Sequence, residues 1–378
     1  MSKKNILILT SKTGGGHVSL ARAMHDLLVN TEPSEDAHNP EISIVDPQPG
    51  FFHQHYRLVS RYALWLWAAE FRFLDTPGRS LLAHKAFTRL MRNRLQALLD
   101  RVQPDLIITT YPFLSYEIKC VLDQRSSSIP LVMLFSDANS VHASWLTERH
   151  ASATFATTRE TYQQARTFGF APQRLHLVGW PVRAQFYCSD LSNQEIRREK
   201  LTQLGLTPDR CTIFLQGGGE GAARISNTIE NILSIDTRVN KAQIIVAAGT
   251  NQHLLTHYKN VPYVATLPHT NNIAPYMAAS DIIMGKAGPN ILFESVMLGK
   301  PFFATTYIPG QEQENLTFIQ HHGLGWVALR PEEQRALLLN FIHDPDQLAS
   351  LSTTINAYRG WNLTATQQIP HLIHQLIP

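Results

Sequence analysis

The chain of 378 residues lacks any apolar run approaching the ~18 residues of a membrane-spanning helix, so any membrane contact must be peripheral. Charge is scarce: Asp, Glu, Lys and Arg make up 17% of the residues, against an average of about 25%. A low-charge surface suits a protein that touches lipid. The formal net charge is +3, and the densest basic stretch, Arg79 to Arg101, is rich in apolar residues. A nucleic-acid partner is therefore not expected. Cysteine is rarer still. Cys120, Cys188 and Cys211 lie far apart and are odd in number, and no C-x-x-C pair occurs, so neither a disulfide framework nor a zinc site is suggested. Buried reduced thiols in a cytoplasmic protein are expected. The opening MSKKNILILT has only four consecutive apolar residues, too few for a signal peptide, and reads as a first strand. Gly-Lys-Ser/Thr, G-x-G-x-x-G, Gly-x-Ser-x-Gly and low-complexity tracts are also missing. His343-Asp344-Pro345-Asp346 matches a metal-binding D-x-D, but it follows a helix and Pro345 marks a turn. No metal is expected.

What is present is alternation of apolar strand-like runs with helical runs, the pattern of α/β proteins with parallel sheets. Strands are predicted at Ile6–Leu9, Ile42–Val45, Leu106–Thr109, Leu131–Phe135, Ala153–Ala156 and Leu175–Val178, and a helix at Val18–Leu28. The second half repeats the plan at Thr212–Leu215, Ile244–Ala247, Tyr263–Thr266, Asp281–Met284 and Phe302–Ala304, after a charged helix at Leu191–Leu204. Two Rossmann-like domains facing across a cleft are the expected architecture: residues 1–185, residues 186–360, and a C-terminal helix over 361–378 packing back toward the first. Residues 51–100 form a helical insert that mixes Trp65, Trp67 and other aromatics with Arg57, Arg61, Arg72 and Arg79. It reads as a lid, as an interfacial membrane contact, or as both.

Three glycine loops follow strands. Ser11-Lys12-Thr13-Gly14-Gly15-Gly16-His17 puts His17 at a helix start, where the dipole keeps it neutral and able to act as a base. Gln216-Gly217-Gly218-Gly219-Glu220-Gly221 has the composition of a phosphate cradle. Gly285-Lys286-Ala287-Gly288-Pro289-Asn290 leads into a helix carrying Glu294, a carboxylate suited to ribose hydroxyls, while Lys286 is either an anion partner or a surface lysine. Gly179-Trp180-Pro181-Val182-Arg183 offers an arginine fork for a diphosphate. Asp137, after the fourth strand, is either a second base, an acceptor-binding group or a cap of its own turn. The order from Asp281 to Asn315 favours a nucleotide-sugar site.

TGGGH, GWPVR, GGGEG, KAGPN…FES, YIPGQEQEN and SDANSVHASW, in that set, resemble the monogalactosyldiacylglycerol synthase and processive diacylglycerol glucosyltransferase group of glycosyltransferase family 28, which has the GT-B fold. The resemblance spans about residues 5 to 330. It implies an inverting, metal-free transferase moving a hexose from a UDP-sugar, a donor substrate and not a cofactor, to a lipid such as diacylglycerol. It implies His17 as base, beside Gly15 and Gly16, and Arg183, Gly218, Gly219 and Glu220 around the diphosphate. Glu294 would hold ribose, Asn272 and Ile273 would meet uracil, and Gln311 and Glu312 would stand near the donor sugar. Val18 departs from the Arg or Lys that often follows the loop histidine, and Ala222-Ala223-Arg224 departs from the usual end of the second loop. The group's plant members carry targeting extensions not seen here, so a cytoplasmic protein at the inner face of the cell membrane is expected. The alternatives are a UDP-N-acetylglucosamine 2-epimerase-like isomerase, a non-catalytic UDP-sugar binder, and a transferase with a non-lipid acceptor.

Overall fold

The computed structural model describes residues 3–30, 40–216, 222–235, 242–344 and 346–377. The chain forms two compact units: Met1–Ala184 with Pro309–Glu314 and Trp361–Pro378, and Gln185–Ile308 with Asn315–Gly360. Each holds a six-stranded sheet, and the paired strands are parallel. Parallel strands are covered by helices on both faces, so they need apolar side chains on both. LIIT, LVML and ATFA are buried at every position.

In the first unit the order is β2-β1-β3-β4-β5-β6. The strands are β1 (Asn5–Leu9), β2 (Glu41–Val45), β3 (Leu106–Thr109), β4 (Leu131–Leu134), β5 (Ala153–Ala156) and β6 (Leu175–Leu177). α1 (Gly16–Asn30) follows β1 and contains the helix predicted there. The insert is three helices, α2 (Gly50–Tyr62), α3 (Leu64–Leu74) and α4 (Pro77–Val102). Ala63, at φ −142° and ψ 54°, breaks α2 from α3, and Pro77 opens α4, where its missing N–H is no loss. α4 buries Phe87, Met91, Leu95, Leu98 and Leu99 at helical spacing. α5 (Ser115–Gln124) packs on α4, and α6 (Arg159–Thr167) starts from a capping box at Thr158.

Among the described residues, most large exposed apolar side chains lie on the insert: Phe51, Leu58, Tyr62, Trp65, Phe73, Leu82 and Leu90. Trp65 is 74% exposed. Trp67 is not its partner in this. Positions two apart point to different sides of a helix, and Trp67 is half-buried, edge-on to Tyr56 at 5.0 Å.

In the second unit the order is β12-β11-β10-β7-β8-β9. The elements are α7 (Gln194–Gln203), β7 (Thr212–Gln216), α8 (Ala222–Leu233), β8 (Gln243–Gly249), α9 (Gln252–His257), β9 (Val264–Pro268), α10 (Ala274–Ala278), β10 (Ile282–Lys286), α11 (Pro289–Met297), β11 (Phe302–Thr306), α12 (Gln313–His321), β12 (Gly325–Val327) and α13 (Pro331–His343). α7 starts later than the predicted helix because the Asn193 side chain caps it, accepting from the Glu195 N–H. β12 was not predicted.

α14 (Asp346–Thr366) and α15 (Ile369–Leu376) end the chain. Within the first unit α15 lies beside α1, and Asn362 brackets Trp180. Its Oδ1 accepts the Trp180 N–H at 2.7 Å, and its Nδ2 donates to the Trp180 carbonyl at 3.0 Å. Of the thiols, Cys188 is exposed and not buried as expected, while Cys120 and Cys211 are partly covered.

Candidate active site

β1 ends in the first glycine loop. Gly14 has φ +69°, and a Cβ there would stand 2.9 Å from the Tyr56 hydroxyl, so the α2 side chain occupies the space glycine leaves. Gly15 and Gly16 are exposed, and no atom lies within 4 Å of a Cβ built on Gly15. His17 is the second residue of α1. Its Nδ1 lies 2.8 Å from the Thr110 carbonyl oxygen. A carbonyl only accepts, so Nδ1 carries the proton and the neutral ring keeps its lone pair on Nε2. The ring also stands edge-on to Tyr111 at 4.9 Å. Burial lowers the His17 pKa from the usual 6.5 to about 4, outweighing the Thr110 bond and the Asp46 charge. The imidazole is neutral at physiological pH, with one basic nitrogen.

Residues not foreseen from the sequence hold this loop. The Asp46 side chain is 2% exposed and its Oδ2 accepts from His53 Nε2–H at 2.7 Å. Asp46 also accepts the Lys12 N–H at 2.7 Å and the Gln48 N–H at 2.9 Å. The Ser11 hydroxyl donates to Gln48 Oε1 at 2.9 Å, and the Tyr111 hydroxyl bonds Gln48 and Thr13.

Asp137 follows β4 and accepts the His142 N–H at 3.1 Å, so it does close its own turn. Burial raises its pKa to about 6, with the nearby Asp75 charge adding to the shift. His142 is itself buried. Its Nε2–H donates to the Phe71 carbonyl at 3.1 Å, and its Nδ1 meets the Ser144 hydroxyl at 2.6 Å. This joins α3 to the Asp137 loop.

Arg183 is half-buried, and the next residue's N–H is held by Asp26 at 2.9 Å. Gln311 and Glu312 belong to the Pro309–Glu314 segment of the first unit. Glu312 is buried. Gln311 Oε1 is buried with no hydrogen-bond partner among the described residues. In the second unit, Glu294 is buried on α11 rather than solvated, Lys286 ends β10 half-buried, and Gly288 precedes α11. The Asn315 amide donates to the Ala287 carbonyl at 2.8 Å, fixing the loop between Lys286 and Gly288. Asn272 is exposed and Ile273 stands at the start of α10. Gln185 holds that turn through the Asn271 carbonyl at 2.8 Å and the Ala274 N–H at 2.9 Å. Gly218, Gly219 and Glu220 lie outside the described residues. Asp344 and Asp346 are exposed.

Comparison with known proteins bears on this arrangement. Residues 43–182 match the monogalactosyldiacylglycerol (MGDG) synthase family model, and residues 212–345 match the glycosyltransferase family 28 C-terminal domain. Monogalactosyldiacylglycerol synthase 3, chloroplastic, of Arabidopsis thaliana is 26% identical over 392 residues, covering 99% of this chain and 81% of the relative. A probable monogalactosyldiacylglycerol synthase 2, chloroplastic, of Oryza sativa subsp. indica is 28% identical, covering 87% of this chain and 72% of its own. Among solved structures, HepE of Anabaena, crystallised with UDP and glucose, superposes with a TM-score of 0.58 at 14% identity, covering 98% of this chain and 99% of that one. The calicheamicin glycosyltransferase superposes at 0.62 and 12% identity, covering 100% and 98%. These structures share the GT-B fold. The relatives' chloroplast labels leave the expected inner face of a cell membrane without support. Among the described residues no helix is long and apolar enough to cross a membrane. With family models matching both units and relatives aligned along most of its length, the chain belongs to the monogalactosyldiacylglycerol synthase group of family 28 glycosyltransferases.

Proposed function

We propose that this chain moves a hexose from a UDP-sugar to the hydroxyl of diacylglycerol with inversion at the anomeric carbon, and that His17 is the general base. The observation that carries the reading is the Nδ1–H of His17 on the Thr110 carbonyl, which leaves Nε2 as the proton acceptor. Nε2 takes the acceptor hydroxyl's proton while that oxygen bonds to the anomeric carbon. The bond to UDP breaks on the opposite face, and UDP leaves with the bonding pair. A positioned base contributes about 10²–10⁴-fold. By the family resemblance, Arg183 and the N–H groups of Gly218 and Gly219 take the negative charge on UDP, the role a metal plays elsewhere. Glu294, buried on α11, fits a ribose partner.

The lipid acceptor is supported by the relatives' names and by the insert. Beside Trp65, a groove of about 470 Å³ lined by Leu66, Ala69, Glu70, Phe73 and Leu74 opens on α3. Its walls suit an acyl chain, and the surrounding exposed aromatics suit a membrane interface.

Incubating the protein with UDP-galactose or UDP-glucose and diacylglycerol vesicles, with mass spectrometry of the lipid extract, tests the activity. A hexosyl-diacylglycerol is expected. A new UDP-sugar formed without acceptor would instead mark an isomerase. His17→Ala should slow turnover about 10²-fold or more with UDP affinity unchanged by calorimetry. Loss of UDP binding in that variant would refute the role. Trp65→Ser with Tyr62→Ser should abolish vesicle co-sedimentation and spare UDP-sugar hydrolysis.

A further inference from the structure

The segment Pro309–Glu314 packs within the first unit, although the chain before and after it belongs to the second. Its neighbours are α3 and the loop after β4. Gly310 has φ +83°, and a Cβ on it would stand 3.3 Å from Phe71 Cδ1 and 3.4 Å from Phe71 Cβ. The Arg72 guanidinium donates to Gln313 Oε1 at 3.4 Å. The Asn139 amide donates to a Glu314 carboxylate oxygen at 3.2 Å.

Phe71 is also tied to the other loop. Its ring lies 4.3 Å from the imidazole of His142, centroid to centroid, and its carbonyl accepts His142 Nε2–H at 3.1 Å. The His142 N–H in turn binds Asp137. One aromatic side chain thus meets both the Asp137–His142 turn and the backbone of Gly310. The next residue, Gln311, keeps its Oε1 buried without a partner among the described residues. Leaving an acceptor in that state is unfavourable, and a ligand donor relieves it. A loop that holds an amide oxygen unpaired needs firm external support, and Phe71 is placed to give it.

We propose that Phe71 is a positioning residue for donor-sugar recognition: it wedges the Gly310–Glu314 loop so that Gln311 and Glu312 present their polar atoms to the hexose hydroxyls. The inference rests on the UDP-hexose reading and adds a determinant of sugar choice on the insert, far from the nucleotide-binding residues in sequence.

The test compares the full-length protein with Phe71→Ala, Phe71→Leu and Gly310→Ala. Phe71→Ala removes the wedge. KM for the preferred UDP-hexose should rise about ten-fold, and discrimination between UDP-glucose and UDP-galactose should fall by a similar factor, within the range of one pocket contact. Affinity for UDP alone, read by calorimetry, should stay within about two-fold, because UDP lacks the hexose. Phe71→Leu should restore most of the selectivity. Gly310→Ala, which pushes against the ring and strains a left-handed backbone, should lose it while Phe71 stays in place, so the test survives a Phe71→Ala variant that fails to fold. Folded variants with unchanged KM and selectivity would overturn the proposal. So would an equal loss of UDP affinity, which marks general damage. A wild-type protein that binds UDP-hexose but transfers nothing refutes the transferase reading and leaves the binding comparison valid, whereas one that binds no UDP-hexose refutes both.

Discussion

At the scale of single residues, the decisive balance is between burial and proton affinity at His17. Its pKa of about 4 makes it neutral at rest, and the same burial makes Nε2 a weak base. The Asp46 charge pulls in the other direction, and on the proposed mechanism it would favour an imidazolium at His17. The acid limb of kcat/KM for the free enzyme should therefore fall near pH 4, with a flat rate from about pH 6 to 8. A limb centred on the usual 6.5 would show that another group, or a solvated His17, sets the rate. In Asp46→Asn the limb should move to lower pH and turnover should drop roughly 3–10-fold, since the forming cation loses its counter-charge. The stability sign follows. Between pH 4 and 6.5 the unfolded chain binds the His17 proton and the folded one does not, so this group's contribution to stability rises with pH across that window. His17 was readable in the sequence because a glycine loop and a helix start flank it. Asp46, Gln48, His53 and Tyr111 were not. Asp46, Gln48 and Tyr111 meet the loop across long sequence separations, and no local pattern marks a carboxylate that will accept a distant N–H.

At the scale of elements, α4 and α5 are pinned by a fully buried pair. His84 Nδ1 lies 2.7 Å from Glu117 Oε1, and His84 Nε2–H donates to the Ser144 carbonyl at 3.0 Å. The Ser144 bond fixes one proton on Nε2. Burial raises the pKa of the Glu117 carboxyl to about 7, and Glu117 Oε2 has no partner among the described residues. The folded state therefore holds a proton that the unfolded Glu releases at 4.5, so stability from this group falls as pH climbs from about 4.5 to 7. Glu117→Gln keeps a donor to Nδ1 and removes the titration. Its melting temperature should match wild type near pH 5 and exceed it at pH 8 by several degrees, for on the order of 1–3 kcal/mol. A difference independent of pH would contradict the raised pKa of Glu117. The strands were legible because parallel strands buried on both faces show as plain apolar runs. β12, with only Gly325-Trp326-Val327, gives no such run. The insert read as helical, but its division into three helices depends on the single backbone break at Ala63 and on Pro77. The different fates of Trp65 and Trp67 depend on helix phase, which a mixed aromatic–arginine stretch does not reveal.

At the scale of the whole molecule, the chain returns to its first unit at the end. Trp361–Pro378 belongs with Met1–Ala184, so the first unit is built from segments far apart in the sequence. Ile369 and Ile373 of α15 are buried, and Asn362 bonds both the N–H and the carbonyl of Trp180. That pairing explains part of the GWPVR motif without chemistry: Trp180 is fully buried and Asn362 bonds both its backbone N–H and its carbonyl. Asn362→Ala removes the side-chain bonds to a buried N–H and a buried carbonyl at once, at about 1–3 kcal/mol each. Native-state hydrogen exchange should then show amides of β1–β6 losing protection by roughly 2–5 kcal/mol while those of β7–β12 keep theirs. Removing residues 361–378 should do the same more severely, because it also uncovers the apolar face under α15. Equal loss of protection in both sheets would mean that Asn362 supports the molecule as one cooperative block, and unchanged protection in β1–β6 would mean that Trp180 finds its hydrogen bonds elsewhere.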